Sequence, residues 1–551
     1  MELPDLLGEL ERLGVEIHAQ KDSLVVRGRN GALPGPVRDA LVHHKPALLR
    51  RLSPPRPVPR EGPMALSFAQ ARLWFLDQLG SGIAYNLARA LRLEGRLDVS
   101  ALEAALSEMV RRHEALRTIF PSVDGRAVQV VQPPFPVSLP IHDLTERGAA
   151  ALEEARRLGA ADALRPFDLG QGPLLRGRLY RVRDDEHVLS LTMHHIVFDG
   201  WSVGIFNREL AALYADFAGG GTSSLPELPV QYADFAHWQR ERLQNGALDQ
   251  QLAFWRKRLE GAPPRLDLPT DRPRSAALLP RGAAHDLVFP PALVEKLRGL
   301  SHREGATLYV VLLAGFKALL HRYTGQEDLV VGSAIANRTH SELEGLIGFF
   351  VNSLPLRTDF SGDPTVRELV ARVKGVAREA FDHEELPFEK LVDELNPDRD
   401  PGQNPIFQVV FAMQRASRSD LGMPGLRVAP FDLQARVARF DLEVHFFEAE
   451  DRSVVAAQVL YNAELFDAAS IERMLSHYLS LLEEAAVRPE TRVSRLPLLS
   501  AAERAVAVKE WNATQADYPR TTLAELFQTR VHETPEAPAV THRGAVLSYR
   551  E

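Results

Sequence analysis

The sequence contains no cysteine in 551 residues. Disulfides, thiolate nucleophiles, zinc–thiolate sites and iron–sulfur clusters are therefore excluded, and a reducing compartment fits. A basic block is also absent. The 65 basic and 73 acidic residues are spread along the chain and give a net charge of −8. A nucleic-acid partner would lack its electrostatic footprint and is not expected.

Long apolar runs are missing as well. The longest, residues 309–320, is too short to span a bilayer and contains Lys317. The N-terminus has no basic segment of the kind that starts a signal peptide. We therefore expect a cytoplasmic protein without a membrane partner.

What is present points to three or four folding units, at roughly 150 residues each. Residues 53–63 contain five prolines and predict an extended linker that holds a small N-terminal unit, residues 1–52, away from the rest. Within that unit, leucines at helical spacing up to Gly14 precede two alternating segments, 15–20 and 23–27, around a Lys21-Asp22 turn. Helical spacing returns over 36–52, which gives an α-β-β-α-α order. So small a core favours dimerisation or partner binding.

Residues 64–492 alternate helical and β-rich patterns, which predicts a mixed α/β (α+β) fold. A single core rarely extends over so many residues, so we expect two lobes, 64–238 and 239–492, divided near a polar helix over 238–259. Residues 493–551 predict a linker and the truncated start of another domain. The predicted helices are 100–112, 202–218, 290–304, 307–323 and 365–381, and the predicted strands are 188–193, 328–333, 407–413, 454–461 and 545–549.

The most informative stretch is residues 189–203. Alternating apolar residues predict a strand that ends at His194 and His195, and Ser202 predicts the N-cap of a helix. The backbone N–H groups near Gly200 then bring partial positive charge to the same corner, which suits acyl transfer. For the histidine pair alone, a core histidine and a chance spacing to Asp199 remain the simpler interpretation. A metal site is not expected, since no third ligand group lies nearby in the sequence.

The stretch from His194 to Gly200, His-His-x-x-x-Asp-Gly, closely resembles the condensation domains of nonribosomal peptide synthetases. Six further stretches match that family in chain order: Ser67-Phe-Ala-Gln-Ala-Arg-Leu-Trp-Phe-Leu76, Arg112-His-Glu-Ala-Leu-Arg-Thr118, Tyr232-Ala-Asp-Phe-Ala-His-Trp-Gln239, Ile347-Gly-Phe-Phe-Val-Asn-Ser-Leu-Pro-Leu-Arg357, His383-Glu-Glu-Leu-Pro-Phe-Glu389 and Asn404-Pro-Ile-Phe-Gln408. The resemblance implies two chloramphenicol-acetyltransferase-like lobes in a V. Carrier proteins would deliver thioesters on 4′-phosphopantetheine arms from opposite faces, and no permanently bound cofactor is implied.

The residues at the variable positions of these motifs resemble those of the condensation-domain subtype that joins an L-configured donor to an L-configured acceptor. Heterocyclising relatives replace the histidines with aspartate. The tail is similar to the opening of an adenylation domain, and condensation before adenylation is the order of an elongation module. The implied partners are an upstream synthetase with its carrier, a downstream carrier and an adenylation domain in the same chain.

The resemblance also implies roles for individual residues. His195 takes a positioning or proton-transfer role in peptide-bond formation, with ground-state base as the alternative. His194 is structural, and Asp199 pairs with an arginine, Arg338 by resemblance or else Arg112 or Arg117. Trp201 packs, while Ser353 and Asn352 line the tunnel. The motif positions taken as catalytic are His195, Gly200, His194 and Asp199.

Residues 1–52 are similar to the N-terminal docking domains first seen in tubulysin synthetase, on the order of elements, Gly31-Ala-Leu and His44-Lys-Pro-Ala-Leu-Leu49. Such a unit receives the C-terminal peptide of the preceding synthetase, and the second strand would be the edge that binds it. The docking residues are Ser23, Leu24, Val25, Val26, Arg27 and Arg29. A passive cap is the alternative for this unit. For the whole chain the alternatives are a starter condensation domain and a non-catalytic recruitment module.

Overall fold

The computed structural model describes residues 6, 9–10, 13, 15–20, 23–28, 33–45, 48, 53–243, 247–274, 281–395, 404–415, 422–449, 452 and 454–551. Two compact units divide the chain, Met1–Leu496 and Pro497–Glu551.

The N-terminal segment forms a small core of its own. Strand β1 (Val15–Gln20) pairs antiparallel with β2 (Ser23–Gly28), and helix α1 (Gly35–His43) follows. Its buried apolar side chains are those of Leu6, Leu10, Val37, Ala40, Leu41 and Leu48. Most of the predicted first helix, the Lys21-Asp22 turn and Arg29 lie outside the described residues.

The proline-rich linker is extended but lies against the first lobe. Trp238 Nε1 donates to the Ser53 carbonyl at 2.9 Å, and Val58 N donates to Asp234 Oδ1 at 2.8 Å. Arg60 bridges Asp234 and Glu114, both at 2.7 Å. These polar contacts bind residues 53–60 of the linker to the first lobe.

The first lobe is built from residues 64–243 and one later strand. Its elements are β3 (Met64–Ala65), α2 (Phe68–Leu76), β4 (Asn86–Gly95), α3 (Val99–Arg112), β5 (Thr118–Ile119), β6 (Ser122–Val123), β7 (Arg126–Val131), β8 (Ile141–Asp143), α4 (Ala151–Ala163), β9 (Leu175–Arg183), β10 (Glu186–His194), α5 (Gly200–Ala218), α6 (Tyr232–Leu243) and the later β15 (Leu426–Pro430). Helix α7 (Ala247–Leu259) follows α6 and packs on the second lobe, where Trp255 Nε1 donates to the His383 carbonyl at 3.0 Å. The main sheet has the order β15-β4-β10-β9-β8 and is antiparallel except for β8 against β9. Helices α3 and α5 share the large apolar core with one face of the sheet, and α4 packs with Tyr180 and Val188 on the other face.

The second lobe contains the rest of the first compact unit. Its elements are β11 (Gly282–Val288), α8 (Pro291–Arg303), α9 (Leu308–Thr324), β12 (Asp328–Ile335), α10 (Ser341–Glu344), β13 (Asn352–Asp359), α11 (Val366–Asp382), α12 (Phe388–Leu395), β14 (Val409–Arg415), β16 (Leu442–Glu448), β17 (Val455–Asn462) and α13 (Ala468–Val487). Its six-stranded sheet has the order β11-β17-β16-β14-β12-β13. Phe411 and Phe446 from the strands pack with Phe316 and Tyr478, so helices α9 and α13 cover this face.

Two segments of the second half of the chain complete the first lobe. Strand β15 pairs antiparallel with β4 from Leu426↔Gly95 to Pro430↔Leu91. Between β12 and β13, Leu343, Leu346, Ile347 and Phe350 enter the first lobe's apolar core. A lobe division at residue 238 is therefore wrong, because it cuts α6 and separates parts of one core. The helix predicted over 238–259 is described as α6 up to Leu243 and as α7 from Ala247, and residues 244–246 lie outside the described residues.

The second compact unit contains α14 (Ala501–Ala505), α15 (Leu523–Glu533) and the antiparallel pair β18 (Pro538–His542) and β19 (Ala545–Ser548). It begins four residues after the predicted boundary at 493. Arg322 Nη1 donates to the carbonyls of Val493 and Leu496, which ties that short segment to the first unit.

Within the described ranges, no single helix is long and apolar enough to cross a membrane. The bent helix pair Pro291–Arg303 and Leu308–Thr324 passes the same test by its combined length and composition, and by those two properties only.

Candidate active site

The two histidines lie where a buried strand turns into a helix. Strand β10 is buried at every position and ends at His194, a helical turn spans His195–Val197, and α5 begins at Gly200. Since the neighbouring strands fix β10 on both sides, the corner has little freedom to move.

His195 is held with one nitrogen bound and the other open. Its Nδ1 lies 2.7 Å from the Phe198 carbonyl, and the ring meets Phe349 edge-on at 4.7 Å between centroids. A carbonyl only accepts, so Nδ1 carries the proton and the Nε2 lone pair is free. No hydrogen bond to Nε2 occurs among the described residues. Burial, and after it the charge of Arg439, lower the pKa of His195 to about 4 against the opposing influence of Asp199.

His194 is buried and accepts a backbone hydrogen bond from the turn that follows it. It is 1% exposed, and its Nδ1 accepts the Ile196 N–H at 3.2 Å. Burial, followed by the neighbouring His195, lowers the pKa of His194 to about 3. A neutral ring that binds the turn fits the predicted structural role.

Asp199 is a fully buried N-cap. Its Oδ1 accepts from Ser202 N at 2.8 Å and from Ser202 Oγ at 2.7 Å, while Oδ2 accepts from Phe350 N at 3.1 Å. The prediction that Ser202 caps α5 is therefore wrong. Asp199 stands three residues earlier and accepts the Ser202 N–H, so the helix begins at Gly200.

Arg338 is the partner of Asp199. Its Nη2 lies 3.1 Å from Oδ1 and 3.3 Å from Oδ2, and its Nη1 donates to the Leu343 and Leu346 carbonyls. The guanidinium also lies 3.9 Å from the Phe350 ring centroid. Because Arg338 follows β12, this ion pair joins the α5 N-terminus to the segment that enters the first lobe's core.

The two alternative partners of Asp199 are engaged elsewhere. Arg112 binds Glu209 at 3.0 Å and the Pro226 carbonyl. Arg117 donates to the Gln132 carbonyl at 2.5 Å and lies 3.7 Å from Glu114. Pairing of Asp199 with either arginine is wrong, since nearer acceptors bind both.

The remaining predicted residues divide by exposure. Trp201 is 47% exposed, donates from Nε1 to the Glu344 carbonyl at 3.0 Å and places its ring centroid 5.8 Å from the Arg338 guanidinium, so it packs at the surface between two segments. Asn352 binds backbone groups with both side-chain atoms, including Phe388 N and the Leu386 carbonyl. That use makes Asn352 a structural residue. Ser353 is half-buried on β13 opposite Ala334.

The motif reasoning missed the residues that face this corner from the second lobe. A Cβ atom built on Gly200 lies 3.7 Å from both side-chain amide atoms of Gln414, so the Gln414 amide reaches the first residue of α5. Arg439 is near enough for its charge to lower the pKa of His195. The available signal was Glu443 and His445 alternating with apolar residues, which places polar side chains on one face of a strand. Among the described residues, no cluster of three potential metal ligands is found.

Comparison with known proteins agrees with this geometry. The family model described as Condensation domain matches residues 60–507. A linear gramicidin synthase chain from Brevibacillus parabrevis is 46% identical over 500 residues, which is 90% of this chain and 10% of that relative. Chondramide synthase from Chondromyces crocatus is 42% identical over 500 residues, which is 90% of this chain and 13% of that relative. The chain thus spans a small part of such synthases.

Two solved structures share the fold. The teicoplanin X-domain, in its complex with OxyB, is 32% identical with a TM-score of 0.72, covering 81% of this chain and 98% of that one. The four-domain nonribosomal peptide synthetase AB3403, bound to AMP and glycine, has a TM-score of 0.79 at 23% identity, covering 89% of this chain and 38% of that one. The predicted fold class is confirmed. The chain belongs to the condensation-domain family of nonribosomal peptide synthetases.

Proposed function

We propose that this chain forms a peptide bond between an upstream carrier-bound L-aminoacyl or peptidyl thioester and the amine of a downstream carrier-bound L-aminoacyl thioester. The observation that carries the proposal is the free Nε2 of His195, fixed by the Phe198 carbonyl at a corner that faces the second lobe. The amine nitrogen attacks the thioester carbon, and the carbonyl electrons move to oxygen. The C–S bond then breaks, and the proton that the nitrogen loses passes through Nε2 of His195 to the thiolate of the donor's phosphopantetheine arm.

The low pKa of His195 favours one of its two candidate roles. An α-ammonium has a pKa of about 7.7–8.0, so transfer of its proton to a base with a pKa of about 4 is uphill by roughly 5 kcal/mol. Release of that proton to water at pH 7 costs only about 1 kcal/mol. The nitrogen becomes far more acidic once it has attacked. His195 is therefore the acceptor of that later proton and a guide for the amine, rather than the ground-state base.

The test is His195→Ala, with donor and acceptor loaded on matched carrier proteins and product followed by intact-protein mass spectrometry. We expect an unchanged melting temperature and a rate roughly 10²–10⁴ lower. Buffers well above pH 8 should not rescue the variant. Undiminished coupling would overturn the assignment, and rescue at high pH would restore the ground-state base.

We assign residues 1–52 to docking of the upstream synthetase. In the described part of this segment, β2 pairs with β1 on one side only, and Val26 on β2 is 38% exposed. An incoming peptide can add a strand to that edge, with Arg27 selecting an acidic sequence. Dimerisation would cover the same edge, so a dimer and a docked peptide would compete.

The docking test is deletion of residues 1–52 with Ser53 retained, because Trp238 binds its carbonyl. Coupling with the upstream synthetase at low concentration should be lost, whereas excess free donor carrier should restore it. Equal loss under both conditions would make the segment a stabilising part of the fold. Unchanged rates would make it a passive cap.

Residues 497–551 are assigned to the start of an adenylation domain in the same chain. The order condensation then adenylation supports an elongation module over a starter domain. A starter domain would couple a fatty acyl thioester in preference to an aminoacyl or peptidyl one, and competition between the two donors distinguishes them.

A non-catalytic recruitment module is the second candidate, favoured by the likeness to an X-domain solved in complex with OxyB. The fixed tautomer of His195 supports catalysis instead. A recruitment module would form no product from any loaded carrier pair while its fold and carrier binding stayed intact.

A further inference from the structure

Residues 348–350 enter the first lobe's core beside the histidine corner and bring an aromatic ring onto His195. Ile347 and Phe350 are each 1% exposed, whereas the Phe349 side chain is half-buried and packs at the edge of that core. The Phe349 ring lies 4.7 Å from the His195 imidazole between centroids, and the two planes meet at 64°. This ring is therefore in direct contact with the histidine of the candidate site.

The backbone of this segment is held at each of its three residues. The three hydrogen bonds run from Gly348 N to Ser202 Oγ at 3.1 Å, from the Tyr232 hydroxyl to the Phe349 carbonyl at 2.5 Å, and from Phe350 N to Asp199 Oδ2 at 3.1 Å. A Cβ atom built on Gly348 lies 2.1 Å from Tyr232 Cδ2, so only glycine lets the backbone come this close. Because the segment contributes backbone groups to all three bonds, a change of the Phe349 side chain leaves them in place.

The next residue, Phe350, has a different set of contacts. Its ring lies 4.8 Å from the Tyr232 ring and 4.7 Å from the Phe235 ring between centroids, and 3.9 Å from the Arg338 guanidinium. These three partners are themselves buried, so Phe350 anchors the segment in the core. Phe349 is the residue of the segment that meets the histidine.

The Phe349 ring opposes a motion that the hydrogen bond of His195 allows. The acceptor of that bond, the Phe198 carbonyl, ends the same short turn that His195 begins, so the bond fixes the imidazole only relative to its own turn. The imidazole can still tilt about the line from Nδ1 to the carbonyl oxygen. Phe349 comes from a separate, anchored segment, and an edge-on aromatic contact is directional, so it opposes the tilt from outside the turn.

We propose that Phe349 is a positioning residue: its ring, carried by the anchored residues 348–350, holds the His195 imidazole in the one orientation in which the free Nε2 takes the proton from the attacking nitrogen. This inference rests on the proposed function. Phe349 itself transfers nothing. It acts through His195, because a proton acceptor works only when its lone pair is fixed within a fraction of an ångström of the productive geometry.

The test is a double-mutant cycle of Phe349→Leu with His195→Ala, followed as single-turnover coupling while the loaded carriers are titrated to saturation. Phe349→Leu should lower the saturated rate roughly 10–100-fold and leave the half-saturating carrier concentration unchanged, because it misplaces the proton acceptor. In the His195→Ala background the same change should cost nothing further, since no imidazole remains to be positioned. A full additional loss in that background, or a wild-type rate in the single variant, would overturn the proposal.

Phe349→Tyr is the conservative variant, because it keeps an aromatic ring at this position, and it should retain most of the wild-type rate. Phe254→Leu is the matched control. Phe254 is half-buried and also lies against a histidine, His383, with the ring centroids 3.7 Å apart. The control removes a comparable contact away from the histidine corner and should keep the wild-type rate. An equal loss in the control, or a rate in Phe349→Tyr as low as in Phe349→Leu, would contradict the assignment.

A second readout needs no turnover. In protein labelled with ¹⁵N-histidine, the His195 signals are identified by their loss in His195→Gln. Wild type should show one neutral tautomer with the proton on Nδ1, whereas Phe349→Leu should show a mixture of tautomers, because a tilted imidazole loses its bond to the Phe198 carbonyl. A single tautomer in Phe349→Leu would overturn the inference. If wild type yields no product, the proposed function fails while this spectrum still tests Phe349.

Discussion

Two buried arginine–carboxylate pairs flank the histidine corner, and they differ in what their free N–H groups meet. In Arg338–Asp199 the side chains are 1% and 0% exposed, and the carbonyls of Leu343 and Leu346 bind the outer half of the guanidinium. In Arg439–Glu443 the arginine side chain is 22% exposed, and its Nη1 has no hydrogen-bond partner among the described residues. We call the first pair saturated, because protein oxygens bind both terminal nitrogens of its guanidinium and it can only stabilise the fold. The second pair is unsaturated and can also interact with a molecule that binds nearby.

Lys317 supplies a third case, a buried amine with no carboxylate bonded to it among the described residues. It is 0% exposed, and its Nζ donates to the Leu356 carbonyl at 2.6 Å and to Thr358 Oγ1 at 2.7 Å. Burial lowers its pKa to about 7, followed by the repulsion of Arg258. With only neutral oxygens to bind, this lysine gives up its charge near neutral pH, and the two arginines do not.

Removal of the carboxylate from the saturated pair should have the largest effect on stability. Asp199→Ala strands Arg338 in the interior and removes the cap of α5, so we expect a loss of about 3–5 kcal/mol in urea unfolding. Asp199→Asn is the matched control, since it can still accept the Ser202 N–H. A melting temperature equal to that of wild type in the alanine variant would contradict this structural role.

The difference in the free energy of unfolding between wild type and Lys317→Met should depend on pH. The folded pKa of about 7 lies below the unfolded value of about 10.4, so the unfolded state binds more protons between these pH values. Wild type should therefore gain roughly 3 kcal/mol relative to the variant between pH 7 and pH 10. Unfolding curves in urea at pH 7, 8.5 and 10 measure the gain. A constant difference would mean that Lys317 is charged in the fold.

Glu443→Gln should cost less than the loss of Asp199, because Arg439 keeps access to water. Arg439 is the charge that opposes burial and lowers the pKa of Glu443 to about 2, so its contribution is present above about pH 4.3 and fades as pH falls toward 2. We expect a loss of roughly 2 kcal/mol at pH 7. The difference between wild type and variant at pH 7 and pH 3 checks the sign. A loss that grows at pH 3 would contradict the ion pair.

Trp201→Phe should have the smallest effect. It removes one hydrogen bond to the Glu344 carbonyl from a side chain that is half in water. A loss of about 0.5–1 kcal/mol is expected, with coupling unchanged. A loss above about 2 kcal/mol would show that this bridge matters as much as the buried pairs.

Local patterns predict the regular elements of both lobes closely. Apolar spacing over residues 100–112 predicts α3, which begins one residue earlier because Asp98 accepts the Ala101 N–H as N-cap. The apolar run at 188–193 predicts β10, which extends to His194. The pairing of Asp199 with Arg338 comes from family resemblance, since nothing in the spacing of two residues so far apart indicates it.

Features that depend on distant pairing could not be predicted. Strand β15 is short and ends in Pro430, and its partner β4 lies more than 300 residues earlier, so no local pattern marks it. Arg439 was missed for a related reason: it lies more than 200 residues after His195, and only the fold brings it near enough for its charge to lower the pKa of His195. Residues whose role depends on neighbours in the sequence could be predicted, and residues whose role depends on long-range contacts could not.

The strand and core residues that the second half lends to the first lobe also set an order of events on the ribosome. At about 5–20 residues per second, β4 emerges well over ten seconds before β15 can cover its edge. During that interval the first lobe's sheet has an open edge, and its core lacks Phe350 and Met423. A nascent chain of this protein therefore needs protection from aggregation until its second half is translated. Chimaeras that exchange the halves should fail first in folding yield, before catalysis can be measured.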